Sequence, residues 1–267
     1  MKIAILMAGH MRNCSHMPII EGDPELDTFL STWEDTFVFP VQYTALEIER
    51  PNRIHFISKY YTERWRSFPG LSGKTTSGDS VSMWYKVYRS LLMCVFHSQV
   101  YNKKYDIIIR YRPDLICDVP ITLAQLNDAL ECKCIYMPEW NQRYPQVSCQ
   151  MMDQFFFGDP EAMMKVCGLF EEIEKYLVDF SIPHCGEGFL SKAIEGIPLK
   201  RFPTFYKLQR ADRAEVMTLE KNTKSEEWAG NLNKTDERKG YLRQIVIITS
   251  LKRWFWKTPH QVQYDHF

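Results

Sequence analysis

The chain has 267 residues, of which 45% are hydrophobic, so it can bury a sizeable core and disorder is not expected. Its 33 basic residues balance 33 acidic ones, whereas a nucleic-acid-binding protein normally shows a clustered basic excess. Length and composition therefore indicate a globular protein that binds no nucleic acid.

The sequence also bears on the cellular compartment. The apolar run near the N-terminus, residues 3–8, is shorter than the core of a secretory signal peptide, and no stretch of 18 apolar residues occurs. The eight cysteines are scattered and form no C-x-x-C pair, which is typical of buried thiols in a reducing compartment. We therefore expect a cytoplasmic protein.

The first predicted elements are a strand over residues 2–7 and a helix over residues 24–37. The strand is a short, continuous apolar run. The helix would have Asp23 as its N-cap, Pro24 at its first position, and apolar residues at helical spacing. Both would contribute to the core.

The rest of the chain alternates strands with helices. The further predicted elements are a strand over 53–58, a loop over 66–79, a helix from 80 to about 102, strands over 106–110, 135–137 and 154–157, a long helix from 160 to about 180, a helix over 187–195 that stops at Gly196, and an extended segment over 199–208. This alternation argues for an α/β sheet with helices on both faces. No repeat or linker is evident, so we expect a single domain.

The segment DIIIRYRPDL, residues 106–115, carries the main functional signal. A buried strand would deliver Arg110, Arg112 and Asp114 to its carboxyl end, where open α/β sheets bind ligands. The two arginines would share one face by strand alternation. Arginine pairs bidentately with phosphate oxygens, and a carboxylate can hold a divalent cation or a sugar hydroxyl. The alternative interpretation is a structural salt bridge at a solvated strand end.

Several common signatures are absent. Gly73, Lys74 and Thr75 lack the upstream glycine of a phosphate-binding P-loop, because Phe68 stands at that position. The loop after the first strand lacks GxGxxG, and neither HExxH nor GxSxG occurs. These absences disfavour P-loop NTPases, dinucleotide-binding enzymes, metalloproteases and serine hydrolases.

Five segments carry a resemblance to a known group of enzymes. In chain order they are KIAILMAGHMRN (2–13), MWYKVYR (83–89), YDIIIRYRPDL (105–115), DQFFFGDPEAM (153–163) and EGFLSKAIEGI (187–197). Together they resemble nucleotide-sugar glycosyltransferases of the GT-A-like type, found in polysaccharide and lipopolysaccharide gene clusters and in large DNA viruses. The resemblance covers roughly residues 1–210.

This resemblance implies a GT-A-like α/β fold. Residues 1–120 would form a nucleotide-sugar-binding half, residues 121–210 an acceptor-side half, and residues 211–267 a loop and C-terminal extension. The implied activity moves a hexose or pentose from a nucleotide-diphosphate sugar to a glycan or lipid-linked acceptor. Two alternatives stay open: a non-catalytic carbohydrate- or nucleotide-binding domain on the same scaffold, and a sulfotransferase, whose phosphate loop is missing here.

The resemblance also implies a donor site. Gly9 and Arg12 would lie against the nucleotide, and Lys86 would reach the donor from the aromatic helix. Arg112 and Asp114 would stand where such enzymes keep Asp-x-Asp. Because this sequence has Arg-Pro-Asp there, Asp114 is the one carboxylate left to bind Mn²⁺ or Mg²⁺, and the arginines of the segment could stabilise the leaving diphosphate themselves. Metal dependence stays open.

Two carboxylates are candidates for the chemistry. Sugar transfer with inversion needs a base for the acceptor hydroxyl. Glu187 opens a predicted helix, where the helix dipole stabilises its charge, and Asp153 directly precedes a predicted strand. We predict Glu187 as the base and Asp153 as the residue that orients donor or acceptor hydroxyls. The alternatives are ordinary dipole matching and a turn carboxylate.

The C-terminal segment LKRWFWKTP, residues 251–259, interleaves tryptophan with lysine and arginine. This composition suits a peripheral contact with a membrane interface, where lipid-linked acceptors reside. A terminal helix packed on the domain is the alternative interpretation.

Overall fold

A seven-stranded mixed sheet lies at the centre of the chain. The computed structural model describes residues 1–9, 17–33, 43–49, 78–117, 119–139, 151–179, 185–203 and 206–208. The sheet contains β1 (Lys2–Ala8), β2 (Glu25–Trp33), β3 (Ala45–Glu49), β4 (Ile107–Tyr111), β6 (Ile135–Pro138), β7 (Phe155–Gly158) and β8 (Leu199–Phe202). A separate antiparallel pair joins β5 (Leu115–Cys117) to β9 (Tyr206–Leu208).

The strand order of the sheet is β3-β2-β1-β4-β7-β6-β8. β1 pairs in parallel with β2 on one side and with β4 on the other. Successive strands are therefore added on one side of β1 as far as β3 and on its other side from β4 onward. The position between β1 and β4 is the switch point of the sheet, and such a point leaves a crevice at the carboxyl ends of the strands. β7 is antiparallel to both β4 and β6, so its beginning lies beside the end of β4.

Helices cover both faces of the sheet. They are α1 (Gly78–Tyr101), α2 (Leu123–Glu131), α3 (Pro160–Cys167), a 3-10 turn (Leu169–Glu172), α4 (Ile173–Val178) and α5 (Gly186–Ala193). One core packs Trp84 of α1 and Phe189 of α5 against the sheet, and the core on the other face contains Leu126 of α2. The predicted α/β class is confirmed, and the arrangement is consistent with the GT-A-like fold that the resemblance implies. The division into two halves stays a prediction, although strands from both sides of residue 120 enter this one sheet.

Most predicted elements occur where the sequence pattern places them. These are the first strand, the helix beginning near residue 80, the strands near 106–110, 135–137 and 154–157, the helix near 187–195 and the extended segment 199–208. Asp159 caps α3 by accepting a hydrogen bond from the Glu161 N–H, and Pro160 stands at the first helical position. Gly196 follows α5 with a φ of 79°, as a C-terminal glycine does.

The predicted helix over residues 24–37 is wrong, because residues 25–33 form β2. The apolar spacing is real, but the strand is buried on both faces, with Phe29 in one core and Leu30 in the other. Thr28 and Thr32 are buried as well, and their branched side chains favour extended backbone. Pairing with β1 and β3 on either side then satisfies the backbone of β2. Residues 34–37 lie outside the described residues.

The predicted long helix from 160 to about 180 is also wrong in its length. α3 ends at Cys167, Gly168 takes the C-cap position, and the chain continues as the 3-10 turn and α4. Glycine favours a helix end over a helix interior. β3, β5 and α2 were not predicted, and residues 78 and 79 of the predicted loop belong to α1.

Other predictions fall where the structure describes nothing. These are the strand over 53–58, most of the loop over 66–79, and the loop and C-terminal extension over 211–267, which includes the segment 251–259 with its membrane contact. Within the described ranges, no helix has the length and apolar character needed to cross a membrane.

Candidate functional site

Five charged residues gather at the switch point, and we call them the switch-point cluster: Arg110, Arg112, Asp114, Asp153 and Glu187. β4 supplies the first, the turn after β4 supplies the next two, the chain just before β7 supplies the fourth and the start of α5 supplies the last. Asp153 interacts electrostatically with Glu187 and with both arginines, so three separate parts of the chain meet here. The assembly lies at the end of the sheet where ligands bind in open α/β folds.

The antiparallel direction of β7 explains how Asp153 joins the cluster. The Arg112 N–H donates to the Gln154 carbonyl at 2.9 Å, which extends the pairing of β4 with β7 by one step. The Leu115 N–H then donates to the Arg112 carbonyl at 3.0 Å and closes a turn. Asp114 lies in this turn, and Asp153 lies one residue before Gln154. Both carboxylates therefore stand at the same edge of the sheet.

Arg110 is the fully buried member of the switch-point cluster. Its Nη1 donates to the Tyr111 carbonyl at 2.6 Å and its Nη2 to the Ala8 carbonyl at 3.2 Å, while Nε has no hydrogen-bond partner among the described residues. Burial lowers the pKa of Arg110 to about 10, an effect that the Asp153 charge opposes. The prediction that Arg110 contacts a diphosphate does not fit this placement. Its side chain is 0% exposed, and its guanidinium already donates hydrogen bonds to backbone carbonyls.

Arg112 and Asp114 form a bidentate ion pair. Arg112 Nε lies 2.6 Å from Asp114 Oδ1, and Nη2 donates to Oδ2 at 3.1 Å. The Arg112 side chain is 24% exposed, whereas that of Asp114 is 1% exposed. β4 ends at Tyr111, so the strand alternation that placed Arg110 and Arg112 on one face does not extend to Arg112. Of the two arginines, Arg112 is the one that solvent reaches.

The described residues do not fit a metal site at Asp114. Both oxygens of this carboxylate are engaged by Arg112. Within the described ranges, no group of three His, Cys, Asp or Glu side chains could hold a metal ion. Mn²⁺ and Mg²⁺ require several oxygen ligands, which the described residues do not supply here, and binding of Mn²⁺ or Mg²⁺ stays a prediction.

Asp153 packs against the first residue of α5. A β-carbon added to Gly186 would clash with Asp153 Oδ2 and approach Met83 Cε to 3.0 Å. The indole N–H of Trp84 donates to the Gly186 carbonyl at 3.2 Å and fixes the start of α5 against α1. Because Glu187 is the next residue, this packing sets its position relative to Asp153.

The carboxylates of Asp153 and Glu187 have unlike surroundings. Asp153 is 6% exposed, and its burial raises its pKa to about 6, with a further contribution from the negative charge of Glu187. Arg110 and Arg112 oppose this rise. Glu187 is only partly buried and lies in the first turn of α5, where the helix dipole stabilises a negative charge. Pairs of carboxylates in unlike surroundings are typical of acid–base sites.

Gly9 ends β1 beside the cluster. Its φ of 121° lies in the region that residues with a side chain rarely adopt. The Gly9 N–H donates to the Ser31 carbonyl at 3.2 Å, and the Thr32 hydroxyl donates to the Gly9 carbonyl at 2.8 Å. Gly9 is therefore tied to β2. The nucleotide contact of Gly9 stays a prediction, and Arg12 lies outside the described residues.

Lys86 lies elsewhere, between α1 and β3. Its ammonium is fully buried, 2.9 Å from Glu49 Oε2 and 4.0 Å from the centre of the Trp33 ring. The Tyr85 hydroxyl donates to the other oxygen of Glu49 at 2.9 Å. Burial lowers the pKa of Lys86, an effect that Glu49 opposes. The prediction that Lys86 reaches the donor does not match this placement, because the ammonium is fully buried against Glu49 and Trp33.

Two residues that shape the site were missed from the sequence. Trp84 and Gly186 hold the start of α5, yet they are 102 positions apart and no local pattern connects them. The one available signal was the glycine directly before Glu187, since glycine allows close approach of other groups to the backbone.

A scan of protein families and a search of curated proteins found no match. Among solved structures, the apo form of mouse xyloside xylosyltransferase 1 is similar to this chain with a TM-score of 0.36. The sequence identity is 9%, and the similarity covers 75% of this chain and 84% of the mouse protein chain. A similarity this distant says nothing about the activity of this chain.

Proposed function

We propose that this protein is a glycosyltransferase that moves a sugar from a nucleotide-diphosphate sugar to a glycan or lipid-linked acceptor. What supports the proposal is the switch-point cluster: two carboxylates in unlike surroundings stand beside two guanidinium groups at the ligand-binding edge of an α/β sheet. The resemblance of the five sequence segments supports the same activity. The donor would lie across the carboxyl ends of β1 and β4.

Arg112 would bind the donor diphosphate. Its guanidinium is partly exposed and is held in place by the bidentate pair with Asp114. When the bond to the sugar breaks, negative charge grows on the leaving diphosphate, and a fixed guanidinium stabilises that charge. Asp114 is thereby a residue that positions Arg112.

Glu187 would act as the base in an inverting transfer. The acceptor hydroxyl oxygen attacks the anomeric carbon, the bond between that carbon and the diphosphate oxygen breaks, and the hydroxyl proton passes to the Glu187 carboxylate. The diphosphate leaves with the bonding electron pair. Partial exposure suits Glu187 to this role, because the base must lie within hydrogen-bond reach of an acceptor that enters from solvent.

Asp153 would accept a hydrogen bond from a sugar hydroxyl. Its carboxylate is buried against the start of α5, so its position is fixed before substrate arrives. A preorganised acceptor holds the sugar in the geometry that transfer requires. Glu187 and Asp153 would thus divide proton transfer and orientation between them.

The first experiment is a thermal-shift screen of UDP- and GDP-sugars, each with and without Mn²⁺. A donor that binds the folded protein raises its melting temperature, and the comparison with and without Mn²⁺ tests whether donor binding depends on a metal. Arg112→Ala should weaken calorimetric binding of the best nucleotide diphosphate by roughly 1.5–3 kcal/mol. Unchanged affinity would remove Arg112 from the donor site.

The second experiment measures sugar transfer with the donor that the screen identifies. Glu187→Gln should lower the transfer rate by roughly 10²–10⁴-fold, as loss of a general base does. Glu195→Gln is the matched control, since this exposed glutamate lies just beyond the other end of α5. Full transfer by Glu187→Gln would refute the base assignment. Donor binding without any transfer by the wild-type protein would favour the non-catalytic binding domain.

A further inference from the structure

We infer that Arg110 is a positioning residue: it joins the carboxyl ends of β1 and β4 and faces Asp153 with a buried positive charge, without contacting the donor. This inference rests on the proposed function and refines it. It differs from the sequence-based expectation, in which Arg110 binds the diphosphate. The reason for the difference is where the guanidinium nitrogens point.

The hydrogen bonds of Arg110 are directed at backbone. The Ala8 carbonyl belongs to the last residue of β1, and the Tyr111 carbonyl to the last residue of β4. One planar side chain thus connects the two strands that define the switch point. Lysine could keep the charge but has no rigid fork with which to hold two carbonyls in a fixed geometry.

The position of Arg110 excludes a direct contact with a ligand from solvent. The whole side chain is at 0% exposure and is one of the largest fully buried side chains. A buried guanidinium is costly unless opposite charge lies nearby. Asp153 is its strongest electrostatic partner, ahead of Asp114.

The Asp153 carboxyl needs this charge in turn. The charged groups that face it are Glu187 from α5, Arg110 from β4 and Arg112 from the turn after β4. Burial and Glu187 favour the neutral carboxylic acid, whereas the two arginines and, less strongly, a backbone hydrogen bond at Asp153 favour the carboxylate. Cys167 of α3 also faces Arg110, but burial raises its pKa to about 12, so the thiol is neutral and supplies no charge. Arg110 therefore helps to keep Asp153 in the ionised form that accepts a hydrogen bond.

The test compares Arg110→Met, which removes the charge, with Arg110→Lys, which keeps it. The side-chain carboxyl carbon of Asp153 is followed by NMR between pH 4 and pH 8. We expect its titration midpoint to rise by more than one pH unit in Arg110→Met and by less than half of that in Arg110→Lys. The acidic limb of the pH profile of kcat/KM for sugar transfer should move with it.

Donor affinity separates this role from direct binding. The Kd of the nucleotide diphosphate should change less than threefold in both Arg110 variants, whereas Arg112→Ala should weaken it more than tenfold. If an Arg110 variant weakens the Kd more than tenfold while the Asp153 midpoint stays in place, Arg110 contacts the donor and the inference is overturned.

If Arg110→Met does not fold, the role of Arg110 can be tested by NMR on the wild-type protein and on Asp153→Asn. The Nε resonance of Arg110 should shift with the same midpoint as the Asp153 carboxyl, and Asp153→Asn should abolish that shift. An Arg110 signal that ignores Asp153 overturns the inference. These NMR results do not depend on catalysis, so a protein that consumes no nucleotide sugar would refute the proposed function without obscuring them.

Discussion

The amino edge and the carboxyl edge of the sheet each bury an aspartate, and the two aspartates differ in how completely they are paired. The amino edge is where β1 and β2 begin, and the carboxyl edge is where they end. At the amino edge, Asp27 of β2 accepts hydrogen bonds from the Thr44 hydroxyl at 2.9 Å and the Tyr105 hydroxyl at 2.7 Å, and it pairs with Lys103. Burial alone would raise the pKa of Asp27, but these donors hold it below its ordinary value. At the carboxyl edge, burial raises the pKa of Asp153 to about 6 despite two arginines nearby.

The contrast separates a structural carboxylate, Asp27, from Asp153, to which we propose a functional role. Asp27 is stabilised in its charged form by contacts that the folded chain itself supplies. Asp153 is held in a partly unfavourable state, and such strongly perturbed groups cluster at functional sites. A substrate hydroxyl would provide Asp153 with the donor that Thr44 and Tyr105 already provide for Asp27. Substitutions at Gly186, Asp27 and Asp153 test this difference, in order of decreasing expected effect.

Gly186→Ala should be the most damaging change to the carboxyl edge. The new β-carbon would clash with Asp153 Oδ2 and crowd Met83 Cε, so α5 or Asp153 must move. We expect a loss of about 3 kcal/mol in the free energy of unfolding. A displaced catalytic group should also slow sugar transfer about 10²-fold. Urea unfolding and a transfer assay measure the two effects.

Ser191→Ala, in the same helix, is the control for Gly186→Ala. It adds no atoms and should change stability by less than about 0.5 kcal/mol. If Gly186→Ala is as stable and active as Ser191→Ala, then the start of α5 does not fix the site.

Asp27→Asn should destabilise the amino edge at neutral pH. The amide cannot neutralise Lys103 and is a weaker acceptor for Tyr105, so we expect a loss of about 2 kcal/mol. Because the folded pKa of Asp27 lies below the unfolded value of about 3.9, its contribution is present above that value and disappears as the pH falls through the folded pKa. Urea unfolding at pH 7 and at pH 3 should show a deficit that shrinks on acidification. An equal deficit at both pH values would contradict the assignment.

Asp153→Asn should have a smaller effect of opposite sign. The folded pKa of Asp153 lies above the unfolded value, so its favourable contribution is complete below about pH 3.9 and is lost as the pH rises through about 6. The uncharged amide avoids that loss, although Arg110 then lacks its counter-charge. We expect a gain of about 1 kcal/mol at pH 8 and none at pH 4. A variant that is less stable than the wild-type protein at pH 8 would show that Asp153 is as well paired as Asp27.

Sequence patterns predicted some elements well and others poorly for physical reasons. α1 is long and has a continuous apolar stripe, and β1 and β4 each contain a short apolar run, over residues 3–8 and 107–109, so each has one interpretation. In β2, by contrast, the apolar spacing over nine residues fits a helix too, and only its pairing with β1 and β3 decides. A short segment of sequence does not show which distant strands it will pair with.

The candidate site was predicted in the same uneven way. The three parts of the chain that carry these charges do meet, because chain topology brings strand ends together. They are the end of β4 with Arg112 and Asp114, the chain just before β7 with Asp153, and the start of α5. The burial of Arg110 and of Lys86 could not be predicted, since it depends on packing between distant segments. Sequence reasoning therefore identified the five charges that gather, but it wrongly added Lys86 to the site and did not show which charges a ligand can reach.

The reversed direction of β7 has a consequence for how such a protein can diversify. β6 ends and β7 begins at the edge that carries Arg112 and Asp114, so the connection between them starts and finishes beside the site. In the glycosyltransferase that we propose, insertions or deletions in that connection would alter the shape offered to an incoming acceptor while every strand pairing stays intact. Acceptor choice could change in this way through the length of one connection, without any change in the strands across which the donor would lie.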